Sequence, residues 1–577
     1  MDTDKPAFIN YHKRNNKGLF HDFQEKIGLF DAQNYIPIYR NFFNLTSSNF
    51  NNINLNHSHH LKSVKSKIRK NTYECDIVDM SGNDVGTIPV FFKFSPLVDP
   101  VKYVEGKYSL PIDQLKALPC SLEYDTNPKI KDVNNAAYTD GFFSFLSSKL
   151  STEYKIPHCL EFYGAFIGNQ SEFVFDISDD WEYMYESTFF RKNKDDLFYI
   201  DEEKIKRYCL SDSRSNKPKL SIQDTSDHEI DVLDWNDGVF EDIFVSKNVD
   251  KARDSITEIE VGEPTKSDIK LLSDSKISSR SGTTTSSSSY SSRTSNTDSN
   301  YDSEDSATDD EDLDEDLDED EDSETDDDEI DGTIIDFPVE VISQEVCKET
   351  LDSLMKRDEI AVPVWRSILM QVIMNLLIYQ KTFNFTHNDL HTNNVMYIET
   401  NREFLYYKVD NTYYKVPTFG RIFKIIDFGR AIYKYKGITI CSDSYHPTGD
   451  AATQYNCEPY FNEKKPRLEP HYGFDLCRLA CALYDDLVDE DHDSSDPLSK
   501  IIKEWCTDDN GKNILYKTNG VERYPDFKLY KMIARTVHNP TPKSQLQKEF
   551  FAYYETPHKK INKKAKIINI DNLPSLI

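Results

Sequence analysis

His387-Asn388-Asp389-Leu390-His391-Thr392-Asn393-Asn394 and, further along, Phe423-Lys424-Ile425-Ile426-Asp427-Phe428-Gly429 are the two stretches on which the reading of this chain turns. Either alone is a moderate signal. Together, in this order and with β-type runs beside each, they are highly specific. The first follows the most apolar part of the chain, Ala361 to Tyr379, where Trp365, Ile368, Leu369, Val372, Ile373 and Leu376 recur at helical spacing. Pro363, Arg366, Gln371 and Asn375 lie inside that stretch, which predicts a buried amphipathic helix rather than a membrane span.

The two stretches resemble the catalytic loop (H-x-D-L-x-x-x-N) and the D-F-G metal loop of the protein-kinase superfamily. The chemistry explains the residue types, because phosphoryl transfer needs positioning and neutralised charge more than covalent help. By this resemblance Asp389 is the catalytic carboxylate that accepts or orients the acceptor hydroxyl's hydrogen. Asn394 and Asp427 supply oxygen ligands to magnesium, a hard cation. Gly429 gives the turn that aims Asp427, and Phe428 packs beneath it. His387 reads as a scaffold histidine bonded to backbone carbonyls, since the base's place is taken.

Working outward, Val90-Phe91-Phe92-Lys93-Phe94 sets one lysine in an apolar strand, where it is costly unless paired or functional. Lys93 looks like the V-A-I-K lysine that grips the ATP phosphates; a solvent-facing strand position is the alternative. The runs Tyr73–Met80 and Thr87–Phe94 predict a hairpin. Asn134 to Lys149 predicts a helix with Tyr138, Phe142, Leu146 and Lys149 along one side. That helix holds no glutamate before Glu153, so Asp140 is the best-placed partner for Lys93, unless it merely caps or solvates the helix. No G-x-G-x-x-G precedes Lys93, and no glycine lies between Gly28 and Gly82. Any phosphate-covering role then falls to Asn41–Lys70, whose His57-Ser58-His59-His60 reads as part of a solvated basic loop rather than a metal site.

Downstream, Phe474-Asp475-Leu476-Cys477-Arg478-Leu479-Ala480-Cys481 predicts a core helix, and by the resemblance Asp475 bonds the catalytic-loop backbone. Glu458-Pro459 is the nearest remnant of an A-P-E. Strands are expected at Leu160–Ile167, at Phe337–Ser343 and beside both polar loops, a short helix near Thr350–Met355, and a hairpin within Asn401–Gly420.

The net charge of −32 is largely local: Tyr301 to Gly332 holds 21 Asp and Glu and no Lys or Arg, and without them the remainder carries −11. Residues 213–332, polar, then Ser/Thr-rich, then acidic, have too little apolar content to offset the entropy of ordering and read as a disordered insert. In it Ser303, Thr308, Ser323 and Thr325 are each followed by acidic residues, which suits acidophilic kinases; a solubilising spacer is the bland alternative. Ten cysteines without paired spacing, and a start without an apolar leader, lead us to expect a reducing, cytoplasmic compartment.

As a whole the chain resembles the serine/threonine protein kinases of giant (large nucleocytoplasmic) DNA viruses. Phe-Lys-Phe-Ser-Pro-Leu at Lys93 and His-Asn-Asp-Leu-His at the catalytic loop carry that resemblance. It implies an α+β, bilobal kinase-like fold, a strand-rich N-lobe before a helical C-lobe, with ATP and Mg2+ as cofactors and a protein Ser/Thr acceptor as partner. No membrane or direct nucleic-acid partner is expected; the compartment is the host cytosol or the virion. Residues 1–212 are then an extension and most of the N-lobe, 333–348 its last strand and the hinge, 349–557 the C-lobe and 558–577 a basic tail. Glu345 and Cys347 bound the adenine hinge, and Glu349–Met355 is the helix beyond it. Asn388 stands where such kinases usually carry an arginine, and His391 where they carry a lysine. A small-molecule kinase of the aminoglycoside or choline type, favoured by His391, and a pseudokinase-type binding scaffold, favoured by the missing glycines and glutamate, are the other readings.

Overall fold

The computed structural model describes residues 8–46, 48–119, 127–178, 184, 187–200, 330–488 and 496–577. They belong to one compact unit, Met1–Tyr208 with Ser288–Ile577; a second, Cys209–Ser287, lies outside the described residues. So do the acidic tract to residue 329 and Ser303, Thr308, Ser323 and Thr325.

Seven strands form the main sheet: β1 (Leu29–Gln33), β2 (His59–Arg69), β3 (Thr72–Asp79), β4 (Asp84–Pro96), β5 (Phe162–Asp176), β6 (Phe198–Ile200) and β7 (Asp331–Glu345). Their order is β1-β5-β7-β4-β3-β2, with β6 also paired to β7, and every pairing is antiparallel. The β3–β4 hairpin is the one the sequence predicts. Lys93, on β4, lies opposite Ile342 of β7. As the central strand, β7 is buried almost throughout from Phe337 to Gln344, in keeping with its near-continuous apolar sequence. It begins at Asp331, so the boundary expected at 333 is corrected. The far end of β5 and β6 supply ladder partners to residues whose composition alone reads as insert.

Helix α1 (Ala136–Tyr154) starts where the Asn135 side chain accepts from the Ala137 N–H, a standard N-cap contact. Every residue from Ala137 to Leu150 is buried, so the one-sided helix expected here is a central one. Phe143 explains why: it packs on Tyr379, Phe385, Phe428 and Tyr433 at 4.4 to 5.1 Å between ring centroids. After β8 (Glu349–Thr350) and α2 (Leu351–Arg357), α3 (Val362–Phe383) carries Pro363 in its first turn, where no N–H is lost. It is long and apolar enough to cross a membrane, yet 78% of its most apolar window is buried inside the protein.

The polar loop that follows α3 leads into β9 (Val395–Glu399), which sits between β8 and β12 (Arg421–Ile425) in a three-stranded sheet. Between β9 and β12 lies the expected hairpin, β10 (Phe404–Val409) and β11 (Thr412–Pro417). Next come β13 (Ile432–Tyr435) and β14 (Ile438–Cys441), then helices α4 (Phe474–Leu487), α5 (Pro497–Trp505) and α6 (Lys528–Thr536). The architecture is mixed α+β, strand-rich first and helical later.

Two further expectations are corrected. Residues 558–577 are not simply a basic tail. Lys559, Lys560, Lys563, Lys564 and Lys566 are exposed, but β15 (Ile567–Asn569) adds in parallel to β10, Ile570 and Leu573 are buried, and Asp571 accepts from the Asp410 and Asn411 N–H groups. Nor is Asn41–Lys70 a solvated loop. Ile53–Leu55 pairs with Tyr11–Lys13, and β2 follows at His59. His57 and His60 are buried, with ring centroids 3.8 Å apart, and His12 packs edge-on to His60 at 4.8 Å. Burial pushes His57 down to about 3, so these rings act as neutral core groups. No group of three or more His, Cys, Asp or Glu among the described residues is placed to hold a metal.

Candidate active site

Lys93 enters a fully buried position from the middle of the sheet, and its Nζ lies 2.6 Å from Asp140 Oδ2 and 2.9 Å from Asp427 Oδ1. The strand, α1 and the second polar loop thus meet at one ammonium. Burial favours the neutral form of lysine and carboxyl alike. With two carboxylates facing one ammonium, the attraction of Asp140 and then Asp427 outweighs burial for Lys93 and holds it above its usual range, whereas Asp140 is pushed up by burial despite Lys93. Asp140 also accepts from the Phe428 N–H at 3.0 Å, so one helix residue fixes both the lysine and the backbone beside Asp427. Asp427 has a left-handed backbone (φ +61°), and the Gly429 N–H reaches its Oδ1 at 3.3 Å. Phe428 is buried beneath it against Phe143.

The first polar loop is held from below. Asp475, at the start of α4, accepts from the His387 and Asn388 N–H groups at 3.0 and 2.8 Å. His387 Nε2 meets the Ile426 carbonyl at 2.8 Å, a backbone contact that ties the two polar loops together. Asn388 takes a left-handed conformation (φ +65°), which asparagine tolerates better than most residues. Its amide donates to the Thr386 and Arg430 carbonyls, and its oxygen accepts from the Tyr455 hydroxyl.

Asn394 and Asp427 suit a hard cation by their donor sets. The Asn394 amide nitrogen donates to the Asp389 carbonyl at 2.9 Å and lies 3.1 Å from His391 Nε2. That uses both of its N–H groups and leaves the side-chain oxygen free to coordinate. One carboxylate, one amide oxygen and the remaining positions filled by phosphate and water is how magnesium is usually held. His391 is not a stand-in for a lysine: burial, against the pull of Asp389, brings it down to about 4, so it is neutral at pH 7.

Three groups around Asp389 have no motif to announce them. The Tyr530 hydroxyl, on α6, donates to Asp389 Oδ1 at 2.7 Å and accepts from Arg478 Nε, on α4, at 2.8 Å. Asp389 Oδ2 is buried without a hydrogen-bond partner, and the nearest cation is Arg430 Nε at 3.8 Å. Arg430 is itself held by Asp450 at 2.6 Å. A further acid, Glu340 on β7, is fully buried with neither carboxyl oxygen hydrogen-bonded. Burial, and then Asp140, push it well above the usual carboxylate range. It packs where Gly141 has no side chain.

Of the residues expected to bound a hinge, Glu345 ends β7 and Cys347 lies two residues beyond it. The Glu345 carboxylate is taken by Lys424 at 2.6 Å, and its N–H donates to the Glu161 carbonyl at 3.0 Å. Cys347 is buried with Leu160 and Ile426, one residue before Asp427, in a small apolar cluster. Between β2 and β3 the chain turns in two residues, Lys70 and Asn71, the latter at φ +55°. That tight turn holds no glycine.

No protein-family model matches the chain, and neither does any curated protein.

Proposed function

We propose that the chain is an ATP- and Mg2+-dependent phosphotransferase with a protein-kinase-like bilobal fold, a serine/threonine protein kinase acting in the cytosol or, if viral, the virion. The observation that carries this is the meeting of Lys93, Asp140 and Asp427 at one ammonium, with Asp389 and Asn394 on the adjoining loop. In this account Lys93 grips the α- and β-phosphates while Asp140 keeps it charged and aimed. Asn394 and Asp427 would hold magnesium, which would supply neutralisation of the phosphate charge. Asp389, oriented by Tyr530, presents Oδ2 to the acceptor hydroxyl. The O–Pγ bond to the acceptor forms as the Pγ–O bond to ADP breaks, and the hydroxyl proton passes to Asp389 and on to water.

The tight Lys70-Asn71 turn favours a second reading, a pseudokinase-type scaffold that binds nucleotide without covering it. Incubation with γ-labelled ATP and magnesium separates the two. Transfer to added protein or to the chain itself, lost in Asp389→Asn and Asp427→Ala, supports the kinase; nucleotide binding with no transfer under any condition supports the scaffold.

A further inference from the structure

The Tyr530 hydroxyl that touches Asp389 belongs to α6, and the outward side of the same helix is basic: Lys528, Lys531 and Arg535 fall at i, i+3 and i+7. Lys531 and Arg535 are half-buried and Lys465, in the segment before α4, is exposed. None of these three has a carboxylate within ion-pair distance among the described residues. Arg535 donates one N–H to the Lys531 carbonyl and one to the Thr453 carbonyl. Lys531 lies over the Phe527 ring at 5.3 Å. The cations repel one another: burial, then Arg535 and Lys465, hold the Lys531 ammonium below its usual value. Outside the acidic tract the chain still carries −11, so a group of cations without carboxylate partners runs against the rest and attracts an anion. Thr453 accepts from Arg535, and two residues on Tyr455 bonds Asn388, the neighbour of Asp389. The basic group is thus linked, through Thr453 and Tyr455, to the loop that carries Asp389.

Building on the phosphotransferase reading, we infer that the acceptor is an acidic polypeptide, whose carboxylates flanking the accepting serine or threonine seat on Lys465, Lys531 and Arg535. The chain's own sequence supplies a suitable probe, a peptide copying Tyr301–Glu311 (Tyr-Asp-Ser-Glu-Asp-Ser-Ala-Thr-Asp-Asp-Glu). The probe is compared with an amide analogue, Asp and Glu replaced by Asn and Gln, and with a lysine analogue. Transfer to the acidic peptide should show a KM at least about tenfold below that of the amide analogue, the advantage shrinking with added salt. Lys531→Glu and Lys465→Glu should each raise that KM by about tenfold. The KM for ATP and transfer to the amide analogue should not move, and the lysine analogue should become the better substrate, a reversal that misfolding cannot produce. Anisotropy of the labelled peptides without ATP follows the surface apart from the chemistry. Equal affinity for all three peptides, indifference to both reversals, or displacement of the acidic peptide by a more tightly bound single-stranded oligonucleotide overturns the inference while leaving phosphotransfer standing. Tight, charge-dependent peptide binding with no transfer to any peptide overturns the phosphotransfer reading instead.

Discussion

Replacing Gly141 by alanine asks whether the buried acid beside the lysine site belongs to the design of that site. An alanine is worth about 1 kcal/mol more than glycine in a helix interior, so Gly141→Ala in α1 would ordinarily stabilise. Here the new Cβ stands 2.9 Å from Glu340 Cδ and nearer still to Oε1. Glu340 is fully buried, so its carboxyl has no solvent to swing into, and forcing a methyl into such packing costs about 1–3 kcal/mol. The net expectation is a loss of up to about 2 kcal/mol. Glu340→Ala removes the obstructing carboxyl, and in that background Gly141→Ala should recover its helical gain and stabilise by about 1 kcal/mol. The same substitution thus changes sign between backgrounds, a coupling of roughly 1–3 kcal/mol. Urea unfolding of the four proteins at one pH measures it. ATP affinity measured alongside should fall in Gly141→Ala alone among the Gly141 variants, because displacing α1 carries Asp140 away from Lys93. Equal increments in the two backgrounds would refute the reasoning and leave the glycine unexplained.

Two further outcomes follow from named contacts. Tyr530→Phe leaves Asp389 Oδ1 without its donor and Arg478 Nε without its acceptor. Phosphoryl transfer should fall by about tenfold or more, the scale of one lost charge-assisted hydrogen bond, with ATP affinity unchanged; a parallel loss of ATP affinity would mean that the tyrosine merely holds the fold. Buried His57, His158 and His391, lowered chiefly by burial to about 3, 4 and 4, bind fewer protons folded than unfolded below pH 6.5. Stability from this source is complete above pH 6.5 and is lost as pH falls from 6.5 toward 4, at roughly 1.4 kcal/mol per pH unit for each histidine. Glu340 acts in the opposite sense. His57→Phe should flatten the acid limb of urea stability against pH, and an unchanged limb would show that His57 is not buried neutral.

What the sequence disclosed was local. The β3–β4 hairpin, the amphipathic α3 and both polar loops carry their period or their motif within a few residues. Asp140 is legible because a lysine in an apolar strand demands an acid and the helix Asn134–Lys149 holds no glutamate. The groups that escaped act across long separations. Tyr530 lies 141 residues from Asp389, and nothing in Lys-Leu-Tyr-Lys says that its hydroxyl faces a carboxylate. Glu340 and Gly141 each look like an isolated oddity, an acid in a buried strand and a glycine inside a helix, until the fold puts one against the other. In the sequence His57 and His60 read as solvated loop because their neighbours are polar. The pairing of Ile53–Leu55 with Tyr11–Lys13, and β2 after it, bury them through partners that composition does not reveal.

On the proposed phosphotransfer reading, Asp389 serves the transfer step while Asp427 serves the metal and nucleotide. Single-turnover transfer from γ-labelled ATP, measured beside ATP affinity with and without magnesium, tests it most directly. Asp389→Asn should bind ATP as the wild type does and transfer nothing, whereas Asp427→Ala should lose the magnesium dependence of binding together with transfer. Transfer persisting in Asp389→Asn, or magnesium-dependent binding intact in Asp427→Ala, would contradict the account.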